Sequence, residues 1–310
     1  MALKRIMAVA VGVAILVLSG CAPATIRSEK SKVIAASFYP VYIFTLNIID
    51  GVDELRVECM AEQNVGCLHD YTLTAKDAKL LNDAEALVTN GAGMEAFVED
   101  LNETAENIYI IDSSEGIDLL CDDDHDAEED HHGDGEHNHQ HEANAHLWMS
   151  VSNAKKQVSN IAEGLARVYP EYSEAFYKNR DLYIERLSLL QKDFEAAALQ
   201  VKDKPVITFH NAYAYLAQDI GLNIVETIES DHGGEPSARR IAQLSVDIRE
   251  QGVRALFIEP DYQGSAATIL STETGVSVYI LNPILRGSAT TTAYEDVMRE
   301  NLEIILKAVK

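Results

Sequence analysis

Basic residues are few in this chain of 310: 25 Lys and Arg stand against 50 Asp and Glu, a formal charge of −25. Such a surface repels polyanions, which excludes nucleic acid as a partner. It attracts cations, but most acidic proteins are simply soluble, so charge alone names no ligand. Apolar runs long enough to span a bilayer are also missing. The uncharged apolar stretch over residues 6–18 falls short of a span, which needs roughly 20 residues. No His-Glu-x-x-His and no nucleophile elbow occurs, so the local signatures of a zinc protease and of an α/β-hydrolase are absent. What remains is 47% hydrophobic and 24% charged, a globular composition whose length suggests two domains.

Lys4-Arg5, the apolar run and Ser19-Gly20 before Cys21 read as an export signal over residues 1–20. Leu18-Ser19-Gly20-Cys21 resembles the bacterial lipoprotein signal, in which the Cys21 thiol receives lipid and anchors the chain. The alternative is an ordinary secretory peptide with an incidental Cys. Residues 21–32, small and polar, suit a tether. Cys59, Cys67 and Cys121 then remain. An odd number permits at most one internal disulfide, and the pairing stays open.

Beyond residue 33 short apolar strands alternate with amphipathic helices, which predicts α/β architecture with parallel sheets covered by helices. Strands are expected at 33–36, 55–60, 86–89 and 107–111, with helices near 41–50, 74–82 and 94–105. The second half repeats this, with strands at 206–209, 223–228, 255–258 and 277–281 and helices near 211–219, 237–251, 264–274 and 293–308. From Glu171 to Gln200 there is neither Pro nor Gly, and Phe176, Tyr183, Leu187, Leu190 and Phe194 recur at helical spacing. The expected organisation is an N-terminal lobe over 33–168, a linker helix over 169–201 and a C-terminal lobe over 202–310. A ligand is expected in the cleft between the lobes.

Residues 122–142 hold ten Asp or Glu, six His and no Lys or Arg. This segment cannot bury enough apolar surface to fold and reads as a metal-gathering loop through His125, His131, His132, His137, His139 and His141. The alternative, a solvated acidic linker, leaves six of the chain's ten His in 21 residues unexplained.

Outside that loop stand His69, His146, His210 and His232. His69 follows the second expected strand and His210 ends the first strand of the second half; strand C-termini in open α/β sheets are where ligands bind. His146 lies just downstream of the acidic loop. Three imidazoles suit zinc, whereas a harder ion such as manganese favours more carboxylates. Each His alone is more often a surface or hydrogen-bonded residue, and these wide spacings form no local metal signature.

The segments Phe38-Tyr39-Pro40, His69-Asp70-Tyr71, Asn90-Gly91-Ala92-Gly93-Met94-Glu95, His146-Leu147-Trp148-Met149, Phe209-His210-Asn211-Ala212-Tyr213, Glu235-Pro236-Ser237 and Glu259-Pro260 together carry a resemblance. The chain resembles the metal-binding solute receptors of zinc and manganese ABC transporters, the subgroup whose two α/β lobes are linked by a long rigid helix, over about residues 33–308. The resemblance implies metal ligands at His69, His146 and His210. His at the third position, with a His-rich loop, implies Zn2+ over Mn2+. Where family members often carry Asp, this chain has Asn282. The fourth coordination place is open among water, a loop His, Glu62 and Asn282.

His232, in Ser230-Asp231-His232-Gly233-Gly234, reads as a surface turn residue. Glu259 is expected either to orient a ligand His from behind or to serve as a helix-start carboxylate. Glu95 reads as a helix opener and Gly91-x-Gly93 as a turn. The resemblance implies an extracytoplasmic, lipid-anchored monomeric receptor that passes zinc to an ABC permease and its ATPase subunit, without enzymatic activity. A metal-dependent lipoprotein adhesin and, less favoured, a zinc hydrolase are the competing readings.

Overall fold

The computed structural model describes residues 31–61, 71–98, 108–121, 143–228 and 235–310. The expected signal and most of the tether, Cys21, Glu62, Cys67, His69, the later part of the helix near 94–105, the His-rich segment 122–142 and His232 lie outside these residues. No helix among the described residues is long and apolar enough to cross a membrane.

The first half runs β1 (Lys32–Ala36), α1 (Tyr39–Ile48), β2 (Leu55–Cys59), α2 (Ala75–Asp83), β3 (Ala84–Thr89) and β4 (Tyr109–Asp112). A 3-10 turn over Leu147–Met149 and α3 (Val151–Val168) follow, and α4 (Ser173–Val201) leads into the second half. There the order is β5 (Pro205–Thr208), α5 (Ala214–Ile220), β6 (Asn223–Thr227), α6 (Ala238–Gln251), β7 (Ala255–Ile258), α7 (Ala266–Thr274), β8 (Ser277–Ile280) and α8 (Ala293–Ala308).

Both halves form four-stranded parallel sheets with the same order, β2-β1-β3-β4 and β6-β5-β7-β8. In each, the chain moves outward to one side and then crosses back, so the strand order reverses between the first and third strands. That reversal opens a crevice beyond the strand C-termini, the usual ligand position in such sheets.

Strand alternation assigns the two faces of each sheet to different cores. In β1, Ile34 and Ala36 point into a large core, while Val33 and Ala35 join a small one with Leu80, Leu81 and Leu87. In the second sheet, Val206, Ala255 and Phe257 face the same large core, and Ile207 and Leu256 pack with Leu244, Ile248 and Leu270. The inner faces of both sheets thus share one apolar interior.

The 29-residue α4 runs through that interior; at 1.5 Å per residue it is about 44 Å long. Its buried stripe is Phe176, Tyr183, Leu187, Leu190, Phe194, Ala197 and Val201, steps of three, four and seven that keep one face inward. Pro170 stands just ahead of it, in a 3-10 turn over Pro170–Tyr172, where a missing N–H is harmless. Polar ties join the halves as well. Asp219 of α5 accepts from Val151 N and Ser150 Oγ, both at 3.0 Å, satisfying N-terminal donors of α3. Trp148, fully buried, donates through Nε1 to Pro283 O at 2.8 Å and accepts from Tyr294 OH at 2.7 Å through its own carbonyl.

Candidate metal centre

His210 stands two residues beyond β5 in extended backbone, φ −162° and ψ 145°. Glu259 follows β7 directly. Because β5 and β7 are neighbours with Thr208 opposite Phe257, the residues two beyond each are also opposite. Glu259 Oε1 meets His210 Nδ1 in a short hydrogen bond there. An ionised carboxylate only accepts, so the ring hydrogen belongs on Nδ1 and the lone pair on Nε2, the tautomer a metal ligand needs. His210 keeps 21% of its side chain exposed.

His146 caps the 3-10 turn Leu147–Met149 and is 4% exposed. Its ring lies 5.2 Å from that of Trp148 and edge to face with His210, centroids 4.8 Å apart and planes at 88°. Asn144 supports it: Oδ1 is 3.0 Å from both the main-chain N and Nδ1 of His146. Asn144 Nδ2 donates to Asn211 O at 3.0 Å, the residue after His210.

The turn beyond β3 steadies this segment from the first half. Asn90 Nδ2 donates to Ala145 O at 2.8 Å, and its Oδ1 accepts from Gln157 Nε2 at 2.9 Å. Glu95 stands just ahead of the helical turn at Phe97–Val98, as expected, and its carboxylate is buried. It accepts from Ser37 Oγ and Asn90 N, both at 2.7 Å, and from Gly91 N at 3.0 Å. Burial outweighs these donors, with some help from the Asp112 charge, and pushes its pKa up to about 7. Gly91 is required there: φ is +81° and an added Cβ would lie 1.9 Å from Asp112 Oδ1.

Asn282 stands just beyond β8 and is tied into its own turn. Its Oδ1 accepts from Ile284 N at 2.8 Å, and its main-chain N and O pair with the side chain of Asn301. Cys121 and Ala143, the residues on either side of the acidic His-rich segment, form an antiparallel bridge, and Ala143 stands three residues before His146. Among the described residues no group of three or more His, Cys, Asp or Glu converges as a metal site. The structure thus sets His210 against His146 on one side and Glu259 on the other and leaves Asn282 in a turn, while His69, Glu62 and the loop imidazoles lie outside the described residues.

A family described as "ZnuA: Zinc-uptake complex component A periplasmic" matches residues 34–308. The chain belongs to this family. Zinc-binding protein AdcA of Streptococcus pyogenes is 32% identical over 295 residues, which cover 90% of this chain and 56% of that protein. The chain thus spans about half the length of that relative. High-affinity zinc uptake system protein ZnuA of Bacillus subtilis is 31% identical over 287 residues, covering 90% of this chain and 88% of the other. Among solved structures, the Zn(II)-bound ZnuA-like domain of Streptococcus pneumoniae AdcA is similar at 29% identity with a TM-score of 0.74, covering 90% of this chain and 99% of that one.

Sequence reasoning did not single out Asn144, although its place two residues before His146 was visible. Nor did it find the Glu95 clamp, because Ser37 and Asn90 can donate to one carboxylate only once β1 and β3 are neighbours.

Proposed function

We propose that this chain is an extracytoplasmic receptor that captures zinc and passes it to an ABC permease and its ATPase subunit, acting by binding rather than catalysis. The observation that carries this reading is the meeting of His146 and His210, 64 positions apart in sequence and 4.8 Å apart between ring centroids, each with an oxygen acceptor at Nδ1. Two neutral imidazoles set in that tautomer suit zinc, and a third from His69 would give a three-His site with one place open. Family membership and zinc-named relatives support the same ion.

In this reading the six loop imidazoles gather ions weakly and pass them on to His146 and His210. Lipid on Cys21 holds a monomer at the membrane surface. Protonation competes with metal for each imidazole, so capture weakens as pH falls towards about 6.

Titration of the metal-stripped protein with zinc and with manganese tests the reading, on the parent and on His210→Ala. Zinc is expected to bind the parent more tightly than manganese, and the variant to lose at least about tenfold in zinc affinity. Equal affinities for the two ions, or an unchanged variant, would overturn the assignment.

A further inference from the structure

We infer that Asn144 is a positioning residue that sets both the tautomer of His146 and its spacing from His210 before any ion arrives. Asn144 is 2% exposed, and both ends of its amide are engaged. Only the NH2 end can donate to the Asn211 carbonyl, and only the oxygen end can accept the His146 main-chain N–H. The amide therefore has one possible orientation. Its oxygen carries no hydrogen, so the contact to His146 Nδ1 at 3.0 Å requires the ring hydrogen on Nδ1 and places the lone pair on Nε2.

The same side chain spans the two halves of the fold. His146 precedes α3 of the first half, and Asn211 follows His210 at the exit of β5 in the second. One amide thus holds the ring of one histidine and the backbone beside the other. The Asn144 main chain is fixed as well. Its carbonyl accepts from Tyr215 OH at 2.8 Å, the same hydroxyl accepts from Leu120 N at 2.9 Å, and Asn144 N donates to Leu120 O at 2.7 Å. Asn144 is thus anchored through its own main chain, so the amide that ties the His146 ring to the Asn211 backbone is itself held in place by the fold. A pair held this way spends little binding energy on ordering, the usual gain from preorganisation.

The consequence for zinc rests on the functional reading above; the effect on the tautomer does not. The test uses the metal-stripped full chain as parent, Asn144→Ala and Asn144→Asp. Side-chain nitrogen NMR reports the His146 tautomer, and competition titration reports zinc affinity. Alanine cuts both ties, while aspartate keeps an acceptor for His146 and removes the donor to Asn211. The expected result is one tautomer in the parent and in Asn144→Asp, a mixture in Asn144→Ala, and zinc affinity about tenfold to a hundredfold weaker in Asn144→Ala, with a smaller loss in Asn144→Asp. A single tautomer in Asn144→Ala, or a mixture in Asn144→Asp, overturns the inference. Should Asn144→Ala fail to fold, the tautomer of Asn144→Asp decides alone by the same criterion. A parent that does not bind zinc, yet shows the expected tautomers, upholds the positioning role and overturns the receptor reading instead.

Discussion

Arg186, near the middle of α4, donates through Nε to Glu295 Oε1 of α8 at 2.9 Å. Its Nη2 reaches Asn47 Oδ1 of α1 at 2.5 Å and Thr291 O at 2.8 Å. One guanidinium therefore ties the middle of the long helix to elements of both halves. Burial raises the Glu295 pKa and Arg186 opposes that rise. Arg186→Ala leaves a carboxylate with 3% side-chain exposure without its guanidinium partner, with only a backbone donor and the Arg299 charge still favouring ionisation. Because the Arg186 side chain itself is 40% exposed, the expected loss is about 2–3 kcal/mol, below the range for a fully buried pair. Urea unfolding measures it, and adding Glu295→Gln should recover part of the loss; no recovery would mean that Arg186 acts through packing instead.

The Glu95 clamp makes stability depend on pH with a definite sign. Its pKa in the fold is about 7, above the ordinary value of 4.5. Between those values the folded state keeps a proton that the unfolded chain has lost, so stability falls as pH rises through the window. The shift corresponds to about 3 kcal/mol, complete above pH 7 and absent below about pH 4.5. Glu95→Gln removes the titration, though its amide cannot accept from Asn90, Gly91 and Ser37 together. The difference in urea stability between parent and variant should therefore shift against the parent by about this amount from pH 4 to pH 8. A difference that is flat with pH would show that Glu95 does not titrate in this window.

Much of the architecture was legible in local pattern. β7 and α8 fall on the expected residues, 255–258 and 293–308, because an apolar run or an amphipathic repeat fills each. The α4 stripe was readable for the same reason, since no Pro or Gly interrupts it. Boundaries drifted where neighbouring chemistry intervened. α1 begins at Tyr39 rather than 41 because Pro40 suits its first turn, and β3 begins at Ala84 because α2 runs into it without a loop. The region expected as one helix from 211 starts as a 3-10 turn over Asn211–Tyr213. The candidate site was legible only as residue types. His146 and His210 could be named, and Glu259 had two readings, but strand order decides which residues meet. Nothing local shows that β5 and β7 are neighbours, that Glu95 reaches Ser37 across 58 positions, or that Asn144 spans both halves.

Strand order also yields the sharpest test of the site. Glu259 meets His210 because β5 and β7 pair with Thr208 opposite Phe257, so the carboxylate stands behind the ring. A carboxylate in that position holds the ring orientation and raises the basicity of the nitrogen that faces the metal. Glu259→Ala removes both effects and is expected to weaken zinc binding about tenfold to a hundredfold. Glu259→Gln keeps an acceptor oxygen but not the charge, and should fall between variant and parent. The Glu259 side chain is 25% exposed, so neither change should cost more than about 1 kcal/mol of folding stability. Competition titration beside thermal unfolding separates the two quantities. If Glu259→Ala loses stability and affinity together, the carboxylate supports the strand exits; if affinity alone falls, it sets the ligand.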